Sequence, residues 1–587
     1  MQTLWKSFIK KTRLGGRRNR RSREIDPDEV LIDSSNLPRY DTSRFEGRLE
    51  KSIKRRSLYS VGAAFAVIAV AVFVQAASME LVHGSDYRTM SEDNLLRPEP
   101  IFAGRGVIFD RNGVLLAWNA PPPASCASDA TSSQCSDEFV PQREYATTTG
   151  LAHILGYVQY PSKDSNGFYY QEDFQGMAGA EKYFDSELKG QAGSRLIEVD
   201  AHGKIVSENT IQPPVQGKNI TLSIDSRVES DLYNSLEDVA KKVGYTGGAG
   251  VIMDVHTGEL IALTSYPEYS SQIMSDKTDV AAVQAMLNDP GLPFLNRAID
   301  GLYTPGSIVK PYEAIGALDA HIIDPDKIIH TKGYISIPSP YDPTKVYLFK
   351  DWKNLGDLDM RHAIAMSSDA YFYTVGGGYG DQKGLGIDNI DKYEGMFGLG
   401  TTTMDGVPSF LYPKAGIIPT PAWKKATFNQ DWYLGDTYHS AIGQYGWLVT
   451  PMQIVRAVGA MANYGTVLTP TILKGQQPHV ESVVNIPRAD FDVVHQGMRL
   501  GVQIGTSIAL NVPFAEFAGK SGTAELGVTK DNVNSWITGF WPYQDPKYAF
   551  AVTMEHGSVH ELIGAAAAMR ETIYAMDANA PEYFSQN

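Results

Sequence analysis

Cysteine is nearly absent from this chain of 587 residues, which contains only Cys126 and Cys135. Both lie in the polar stretch PPPASCASDATSSQCSDE, and no group of cysteines and histidines has the spacing of a structural zinc site. Outside the cytoplasm the two residues can form a disulfide, and the alternative is a pair of free thiols in a loop. We expect the disulfide, which closes a small loop and stabilises the fold modestly.

Internal repeats and heptads are absent as well, and a long apolar run separates the basic start of the chain from the rest. This run is Leu58–Ala77 (LYSVGAAFAVIAVAVFVQAA), which has no charged residue. As a helix of ~1.5 Å per residue it spans the ~30 Å hydrocarbon core of a bilayer. A cleaved signal peptide has an apolar run of ~7–15 residues close to the N-terminus. We therefore expect an uncleaved transmembrane anchor at residues 58–77.

Positive charge is scarce beyond this anchor. Residues 1–56 contain 16 Lys and Arg against 8 Asp and Glu, whereas the remainder contains 36 against 59. Basic residues stay on the cytoplasmic side of a membrane, so we expect a basic, mostly disordered cytoplasmic tail at residues 1–57. Its Arg17–Arg23 run suits anionic lipid or nucleic acid, and the nearby anchor favours lipid. We expect no nucleic-acid partner.

The chain is too long for one typical core, and we expect two modules outside the cytoplasm. Asn112-Gly113, within RGVIFDRNGVLLAWN, predicts a β-hairpin in a first, β-rich module at residues 78–215. A second module follows the boundary Pro213–Asn219 and covers residues 216–587. Arg227–Lys242 has helical periodicity, and strand patterns occur near both ends, at NITLSID, 247–265, WITGFWP and YAFAVTME. This order predicts an α+β domain whose sheet joins the two ends.

The stretch TPGSIVKP (Thr304–Pro311) places Ser307 three residues before Lys310. On a helix these positions share a face, with β-carbons ~5–6 Å apart, so the amine can reach the hydroxyl. Pro311 lacks an amide donor and is tolerated only in a first turn. If Ser307 caps the helix, Pro311 is the fourth helical residue, so the sequence predicts Ser307 at a helix N-terminus. A serine hydroxyl is a weak nucleophile until a base takes its proton, and Lys310 is the candidate base.

Ser-x-x-Lys alone is a weak signal, because it recurs by chance. Two further stretches follow it, MSSDAYFY (Met366–Tyr373) and AGKSGTAE (Ala518–Glu525). Ser-x-x-Lys, Ser-x-Asp and Lys-Ser-Gly-Thr in this order match the motifs of serine enzymes that react with β-lactams. A phosphate-binding loop is excluded, because that motif needs a glycine five residues before Gly519, where Phe514 stands.

With these motifs the chain resembles the class B penicillin-binding proteins, which are peptidoglycan D,D-transpeptidases. The likeness covers nearly all of residues 58–575 and includes RGVIFDRNG, GMAGAEKYFDSELKG, EVDAHG and GFWPYQDPKYAFAVTMEHG. KDWKNLG, PAWKK and WYLGDT are most similar to the elongation-type members. The resemblance implies a serine β-lactamase/transpeptidase-like domain, an antiparallel sheet flanked by helices, together with a β-rich, dimerisation-like pedestal and one N-terminal transmembrane helix.

The resemblance also implies a catalytic role for five residues, Ser307, Lys310, Ser367, Asp369 and Lys520. Ser307 attacks the carbonyl between the two D-alanines of a stem peptide, and an amine of a neighbouring stem then resolves the acyl-enzyme. Lys310 is the base for acylation. Ser367 relays a proton to the leaving amine, and Asp369 holds Lys310. The structural alternatives are a helix-start carboxylate for Asp369 and helix caps for Ser367 and Ser368.

The third motif is implied to bind substrate. Lys520 places positive charge near the substrate carboxylate, and the hydroxyls of Ser521 and Thr523 bind it, on either side of Gly522. The backbone N–H groups of Ser307 and Thr523 form the oxyanion hole, with ~3–4 kcal/mol for each donor. The alternative for Thr523 is a plain strand residue.

The sequence departs from the family pattern at three points. Many relatives have asparagine in place of Asp369, which as a carboxylate can only accept hydrogen bonds, but elongation-type relatives also carry aspartate. The Gly-Gln-Gly of the family is Gly443-Gln444-Tyr445-Gly446 here, which leaves the conformation of that loop open. Some elongation-type relatives bind zinc near the active site through a set that includes a cysteine. Residues 216–587 contain none, and we expect no metal and no cofactor.

About 140 residues lie between the anchor and the catalytic module, too few for a fused glycosyltransferase. The resemblance implies that glycan strands come from a RodA-type glycosyltransferase within the elongation complex, contacted through the anchor and the pedestal. It places the chain in the bacterial inner membrane, with the catalytic domain in the periplasm and stem peptides as substrate. Two alternatives stay open: a D,D-carboxypeptidase or β-lactamase, in which water replaces the acceptor amine, and a non-enzymatic β-lactam sensor or scaffold.

Overall fold

The computed structural model describes residues 55–85, 96–121, 140–165, 169–199, 205–339, 342, 344–400 and 407–585. Nearly all of the basic tail lies outside these ranges, and so do Cys126 and Cys135. The tail and the disulfide therefore stay predictions. The described chain divides into two units, Met1–Asn94 and Leu95–Asn587.

The first unit contains the predicted anchor as helix α1 (Arg55–Ala77), which a π-helical turn at Ser78–Val82 continues. The segment Leu58–Val82 is long and apolar enough to cross a membrane. Its apolar side chains, such as Phe65 and Phe73, are exposed around the whole helix. A helix that is apolar on every side suits a lipid environment.

Within the described residues, the pedestal of the second unit is built from short strands and three short helices. One sheet has the strand order β1-β9-β10 and another has β11-β2-β3-β4. The predicted hairpin at Asn112-Gly113 is confirmed, since Gly113, with a φ of 83°, closes the turn between paired strands. The elements are β1 (Leu96–Ile101), β2 (Ile108–Phe109), β3 (Leu115–Asn119), β4 (Arg143–Tyr145), α2 (Ala152–Leu155), β5 (Val158–Gln159), β6 (Ser162–Lys163), β7 (Tyr169–Gln171), β8 (Gln175–Gly176), α3 (Gly179–Tyr183), α4 (Asp185–Leu188), β9 (Gly193–Val199), β10 (Ile205–Gln212) and β11 (Ile220–Thr221).

A buried group of charges ties the pedestal together. The Nε atoms of Arg105 and Arg143 donate to the two carboxylate oxygens of Glu181 at 2.5 and 2.7 Å, and all three side chains are inaccessible to solvent. Asp185 adds a second carboxylate, 2.8 Å from Arg105 Nη2. Buried charges are tolerated only when they are paired, so Glu181 holds the start of the β2–β3 hairpin against β4 and α3.

The catalytic domain surrounds a five-stranded antiparallel sheet with the order β13-β12-β22-β21-β20. Its first and last segments lie side by side, as the sequence predicted. The elements are α5 (Ser226–Val243), β12 (Gly247–Asp254), β13 (Leu260–Tyr266), α6 (Ser271–Asp276), α7 (Val280–Leu287), α8 (Lys310–Asp319), β14 (Ile329–Thr331), β15 (Tyr334–Pro338), β16 (Val346–Lys350), β17 (Gly356–Leu358), α9 (Met360–Met366), α10 (Asp369–Gly377), α11 (Ile387–Met396), α12 (Pro421–Phe428), α13 (Leu434–Ser440), α14 (Pro451–Ala462), β18 (Thr466–Leu468), β19 (Val480–Val483), α15 (Arg488–Gln503), β20 (Ala518–Leu526), β21 (Asn532–Trp541), β22 (Tyr548–Ser558) and α16 (Ala565–Asn579).

Two hydrophobic cores lie on opposite faces of this sheet. Ile252 and its neighbours pack with α5 and α16, whereas the adjacent residue Val251 belongs to the core formed with α8, α9, α10 and α14. Successive residues of a strand point to opposite faces, so each strand serves both cores and its apolar run needs no polar alternation. The active-site motifs lie on the α8 side and along β20.

The boundary between the modules differs from its prediction in one detail. NITLSID was expected to be a strand of the catalytic domain, but only β11 is a strand there, and it pairs in parallel with β2 of the pedestal. Polar contacts also join the modules directly, because Glu268 accepts the N–H groups of Gly150 and Ala152 at 2.7 and 2.8 Å. The pedestal and the catalytic domain are therefore joined by the pairing of β11 with β2 and by the two hydrogen bonds to the carboxylate of Glu268.

Candidate active site

Ser307 lies in a 3-10 turn, Gly306–Val309, that runs directly into α8. The prediction that Ser307 stands at a helix N-terminus is confirmed, although the residue at the cap of the turn is Pro305, with φ −75° and ψ −31°, and not the serine. The α-helix proper starts at Lys310, and Pro311 stands in its first turn rather than as the fourth residue of a helix capped by the serine. The fixed φ of Pro305 already suits a helical turn, so the turn starts before the serine.

Glycines let three segments meet at this turn. Gly306 has a φ of 58°, and a Cβ there would lie 2.9 Å from the carbonyl oxygen of Thr523. A Cβ on Gly522 would lie 2.8 Å from the carbonyl oxygen of Pro305. Strand β20 therefore passes directly against the turn that holds the serine, which places the Thr523 backbone beside Ser307.

The loop after α13 closes the other side of the turn. Gly306 N donates to Gly443 O at 2.9 Å, and a Cβ on Gly443 would lie 2.1 Å from Gly306 O. In the rearranged Gly-Gln-Tyr-Gly sequence Gly443 makes this contact, and Tyr445 lies in the left-handed region, with a φ of 62°. The ring of Tyr445 lies edge-on to Trp423 and Trp432, at 6.2 and 5.9 Å between ring centroids.

Lys310 is completely buried, and its amine has three acceptors from the second motif. Nζ lies 2.6 Å from Asp369 Oδ1, 2.8 Å from the carbonyl oxygen of Ser367 and 3.4 Å from Ser367 Oγ. The amine also lies 5.5 Å from the centre of the Phe372 ring. The described structure gives no hydrogen bond between Lys310 Nζ and Ser307 Oγ; the amine instead points to the neighbouring wall.

Ser367 joins α9 to α10 in a left-handed conformation, with φ 57° and ψ 40°. Its hydroxyl also accepts a hydrogen bond from Lys520 Nζ at 2.8 Å, so it lies between the amines of the first and third motifs. The helix cap is the next residue, Ser368, whose Oγ accepts from Tyr371 N. Ser368 also donates to Asp351 at 2.6 Å. The alternative role of a helix cap therefore applies to Ser368, whereas the hydroxyl of Ser367 belongs to the active site.

Lys520 is buried as well, and its amine donates to Ser367 Oγ and to Ser521 O at 2.8 and 2.7 Å. Burial lowers the pKa of Lys520 well below its ordinary value, because it disfavours the charged form. The positive charge of Lys310 lowers the pKa of Lys520 further, and Asp369 acts in the opposite direction. Two amines thus share one hydroxyl while only Lys310 has a carboxylate within 2.6 Å.

Along β20 the side chains alternate between the core and the cleft. Ser521 is partly exposed and Thr523 exposed, while Lys520 and Gly522 are buried. Ser521 Oγ donates to Thr506 Oγ1 at 2.7 Å. Sequence reasoning missed Thr506, because no pattern links the loop after α15 to this strand. It also missed Asp351. This residue lies in KDWKNLG, a stretch that indicated the elongation-type members but no site residue.

The structure thus brings together side chains from all three motifs, and Ser307 lies against the backbone of the third. Within the described residues, no group of three or more His, Cys, Asp or Glu side chains is placed to hold a metal ion. The chemistry of the arrangement is acyl transfer: a partly exposed serine in a first helical turn, two buried amines and a bridging hydroxyl.

Comparison with known proteins gives the same class. The family model described as penicillin binding protein transpeptidase domain matches residues 248–574, and the penicillin-binding protein dimerisation domain matches residues 136–222. The chain belongs to the penicillin-binding protein transpeptidase family. Within it the chain is a class B protein, most like penicillin-binding protein 2, and its activity is that of a serine-type peptidoglycan D,D-transpeptidase.

Individual relatives support this placement. Peptidoglycan D,D-transpeptidase MrdA of Escherichia coli K12 is 27% identical over 583 residues, which cover 83% of this chain and 89% of that protein. The crystal structure of Pseudomonas aeruginosa PBP2 in complex with WCK 5153 has a TM-score of 0.65 and 28% identity, covering 84% of this chain and 98% of its own. For the Helicobacter pylori complex of PBP2 and MreC the values are 0.66 and 25%, with coverages of 83% and 99%. With α1, these likenesses make the chain a membrane-anchored protein.

Proposed function

We propose that the chain cross-links peptidoglycan stem peptides through an acyl-enzyme on Ser307. One observation carries this assignment of residues: Ser367 Oγ lies within 3.4 Å of Lys310 Nζ and 2.8 Å of Lys520 Nζ. Three sequence motifs thereby form one proton-carrying group next to the turn of Ser307. A scaffold without activity has no need for two buried amines around one hydroxyl, because burying an amine is costly.

In the proposed acylation, Ser307 Oγ forms a bond to the carbonyl carbon between the two D-alanines. Its proton passes to the amine of Lys310, and Asp369 stabilises the ammonium that forms. The N–H groups of Ser307 and Thr523 stabilise the oxyanion, which is worth ~3–4 kcal/mol for each donor. The C–N bond then breaks, and Ser367 Oγ gives its proton to the leaving D-alanine amine while it regains one from a lysine.

Lys520, Ser521 and Thr523 are proposed to bind the carboxylate of the terminal D-alanine. In deacylation the amine of a neighbouring stem attacks the ester, loses a proton through the same groups and returns Ser307 Oγ to the hydroxyl. Water in place of that amine gives the carboxypeptidase alternative. Acylation is identical in both reactions, so the acceptor step decides between them.

The nucleophile is tested with a fluorescent penicillin on the detergent-solubilised full chain. We expect covalent label on the wild type and on Ser186→Ala, an exposed pedestal serine, and none on Ser307→Ala. Equal labelling of Ser307→Ala would overturn the assignment. The acceptor step is tested with lipid II and a partner polymerase: dimeric stems support the transpeptidase, and D-alanine release without dimers supports the carboxypeptidase.

We further propose an inner-membrane orientation with residues 1–57 in the cytoplasm, residues 58–77 in the bilayer, and the pedestal (78–215) and catalytic domain (216–587) in the periplasm. The charge difference across Leu58–Ala77 supports this orientation. The proposed partners are a RodA-type glycosyltransferase and elongation-complex proteins, since a PBP2 relative was solved in complex with MreC. Protease treatment of spheroplasts is expected to degrade the part beyond the anchor and to spare an N-terminal tag. Protection of both sides would contradict this topology.

A further inference from the structure

Thr506 is held rigidly at the edge of the active site by its backbone. It lies in the loop after α15, where its N–H donates to Ala365 O at 3.1 Å. The preceding residue, Gly505, is so close to the same carbonyl that a Cβ would lie 2.1 Å from it. Ala365 is in the last turn of α9, two residues before Ser367. The loop of Thr506 is therefore pressed against the wall that carries the second motif.

From this position the Thr506 side chain reaches the third motif. Its Oγ1 lies 2.7 Å from Ser521 Oγ, and both residues are partly buried. Ser521 lacks the γ-methyl group that restricts χ1 in a threonine, so its hydroxyl has more than one accessible direction. The hydrogen bond to Thr506 removes that freedom. No other described residue is hydrogen-bonded to the Ser521 hydroxyl.

We propose that Thr506 is a positioning residue, which aims the Ser521 hydroxyl at the carboxylate of the substrate and of β-lactams. This inference rests on the proposed function, in which Ser521 binds that carboxylate. A hydroxyl has one proton to donate and can accept as well. On binding, Ser521 turns its proton from Thr506 to the carboxylate, and the Thr506 hydroxyl donates to Ser521 in return. Both hydroxyls stay satisfied, and each bond in such a chain strengthens the next.

The tests are Thr506→Val and Thr506→Ser on the detergent-solubilised full chain. Acylation is measured with benzylpenicillin and with its methyl ester, in which the carboxylate charge is masked. For the free acid we expect Thr506→Val to weaken the apparent affinity about five- to tenfold, the effect of one lost hydrogen bond, with the acylation rate at saturation unchanged. Thr506→Ser keeps the hydroxyl and is expected to restore binding. With the ester, the wild type and both variants are expected to react alike.

A double-mutant cycle separates positioning from packing. If Thr506 acts through Ser521, Thr506→Val has no further effect on the affinity in a Ser521→Ala background. An equal loss with acid and ester, a fall in the saturating rate, or an undiminished loss beside Ser521→Ala would overturn the proposal. The apparent affinities for the acid and the ester are measured on one preparation, so partial misfolding affects both equally and does not change their ratio. Labelling of Ser307→Ala would instead defeat the proposed function and leave this ratio unaffected.

Discussion

Lys310 Nζ lies 2.6 Å from Asp369 Oδ1, with the lysine side chain completely buried and the aspartate side chain 22% exposed. The two residues are 59 positions apart in the chain and belong to different motifs. A buried ammonium is stable only with a partner, so Asp369 stabilises the charge on Lys310 whenever the amine is protonated. In the acylation step that we propose, the Lys310 ammonium formed by proton transfer from Ser307 is paired with Asp369 in the same way.

The first prediction concerns this carboxylate. Among the described residues, Asp369→Ala leaves Lys310 with Ser367 alone as acceptor, and we expect the acylation rate to fall about a hundredfold, as for a removed partner of a buried charge. Asp369→Asn keeps an accepting oxygen and is expected to lose less. Stopped-flow acylation by a chromogenic β-lactam measures both. Asp326→Ala, at an ion pair whose aspartate is 80% exposed, is the control and is expected to match the wild type. An unimpaired Asp369→Ala would contradict the role of the pair.

The second prediction concerns Lys520, whose pKa burial lowers well below the ordinary value. At a pH between the lowered pKa of the folded chain and the ordinary pKa of the unfolded chain, Lys520 carries its proton only in the unfolded chain. The free energy of unfolding therefore rises with pH through this range. Lys520→Met removes the effect. We expect the melting temperature of Lys520→Met relative to the wild type to be highest at neutral pH and to fall as the pH approaches 10.5, while penicillin acylation is lost. Differential scanning fluorimetry from pH 7 to 10.5 measures it, with Lys242→Met, an exposed lysine, as the control. A difference independent of pH would contradict the prediction.

The third prediction concerns Glu313, in the same helix as Lys310. Both of its carboxylate oxygens are buried without a hydrogen-bond partner among the described residues. Burial raises the pKa of Glu313 to about 8. Burial also raises the pKa of the neighbouring Glu394, and the charge of Glu313 raises it further. The folded chain therefore keeps a proton that the unfolded chain releases, and stability is lost as the pH rises from about 4.5 through about 8.

Glu313→Gln resembles the protonated acid and is expected to flatten this decline. Since one pKa unit corresponds to ~1.4 kcal/mol, the gain in unfolding free energy at pH 9 is expected to be several kcal/mol. Urea unfolding at pH 5, 7 and 9 measures it. Glu187→Gln, an exposed glutamate in the pedestal, serves as the control. Parallel pH curves for Glu313→Gln and the wild type would show that Glu313 is ionised in the folded chain.

The fourth prediction concerns the pedestal. Glu181→Ala leaves the guanidinium groups of Arg105 and Arg143 buried without their shared carboxylate. We expect a loss of ~3–5 kcal/mol in the unfolding free energy, as for a buried ion pair with one partner removed. Limited proteolysis and thermal unfolding measure this loss, and Glu172→Ala is the exposed control. Resistance to protease equal to that of the wild type would show that the pedestal does not depend on this cluster.

Much of the fold follows from local patterns. The helix expected at Arg227–Lys242 is Ser226–Val243, and the strands expected within residues 247–265 are β12 and β13. Both depend on periodic apolar residues and on turn residues such as Gly258, which act over a few positions. The anchor and the order of the three motifs are equally local, and they were enough to predict the family and the fold that the comparisons show.

The sequence by itself determined the chemical groups of the site and their order along the chain. Only the tertiary structure decided that the serine turn begins at Gly306, that β11 joins the pedestal sheet and that Thr506 meets Ser521. The amines of Lys310 and Lys520 likewise meet at Ser367 across separations of 57 and 153 residues. Such contacts depend on how sheet, helices and loops pack together, and packing leaves no periodic trace in the residues that meet.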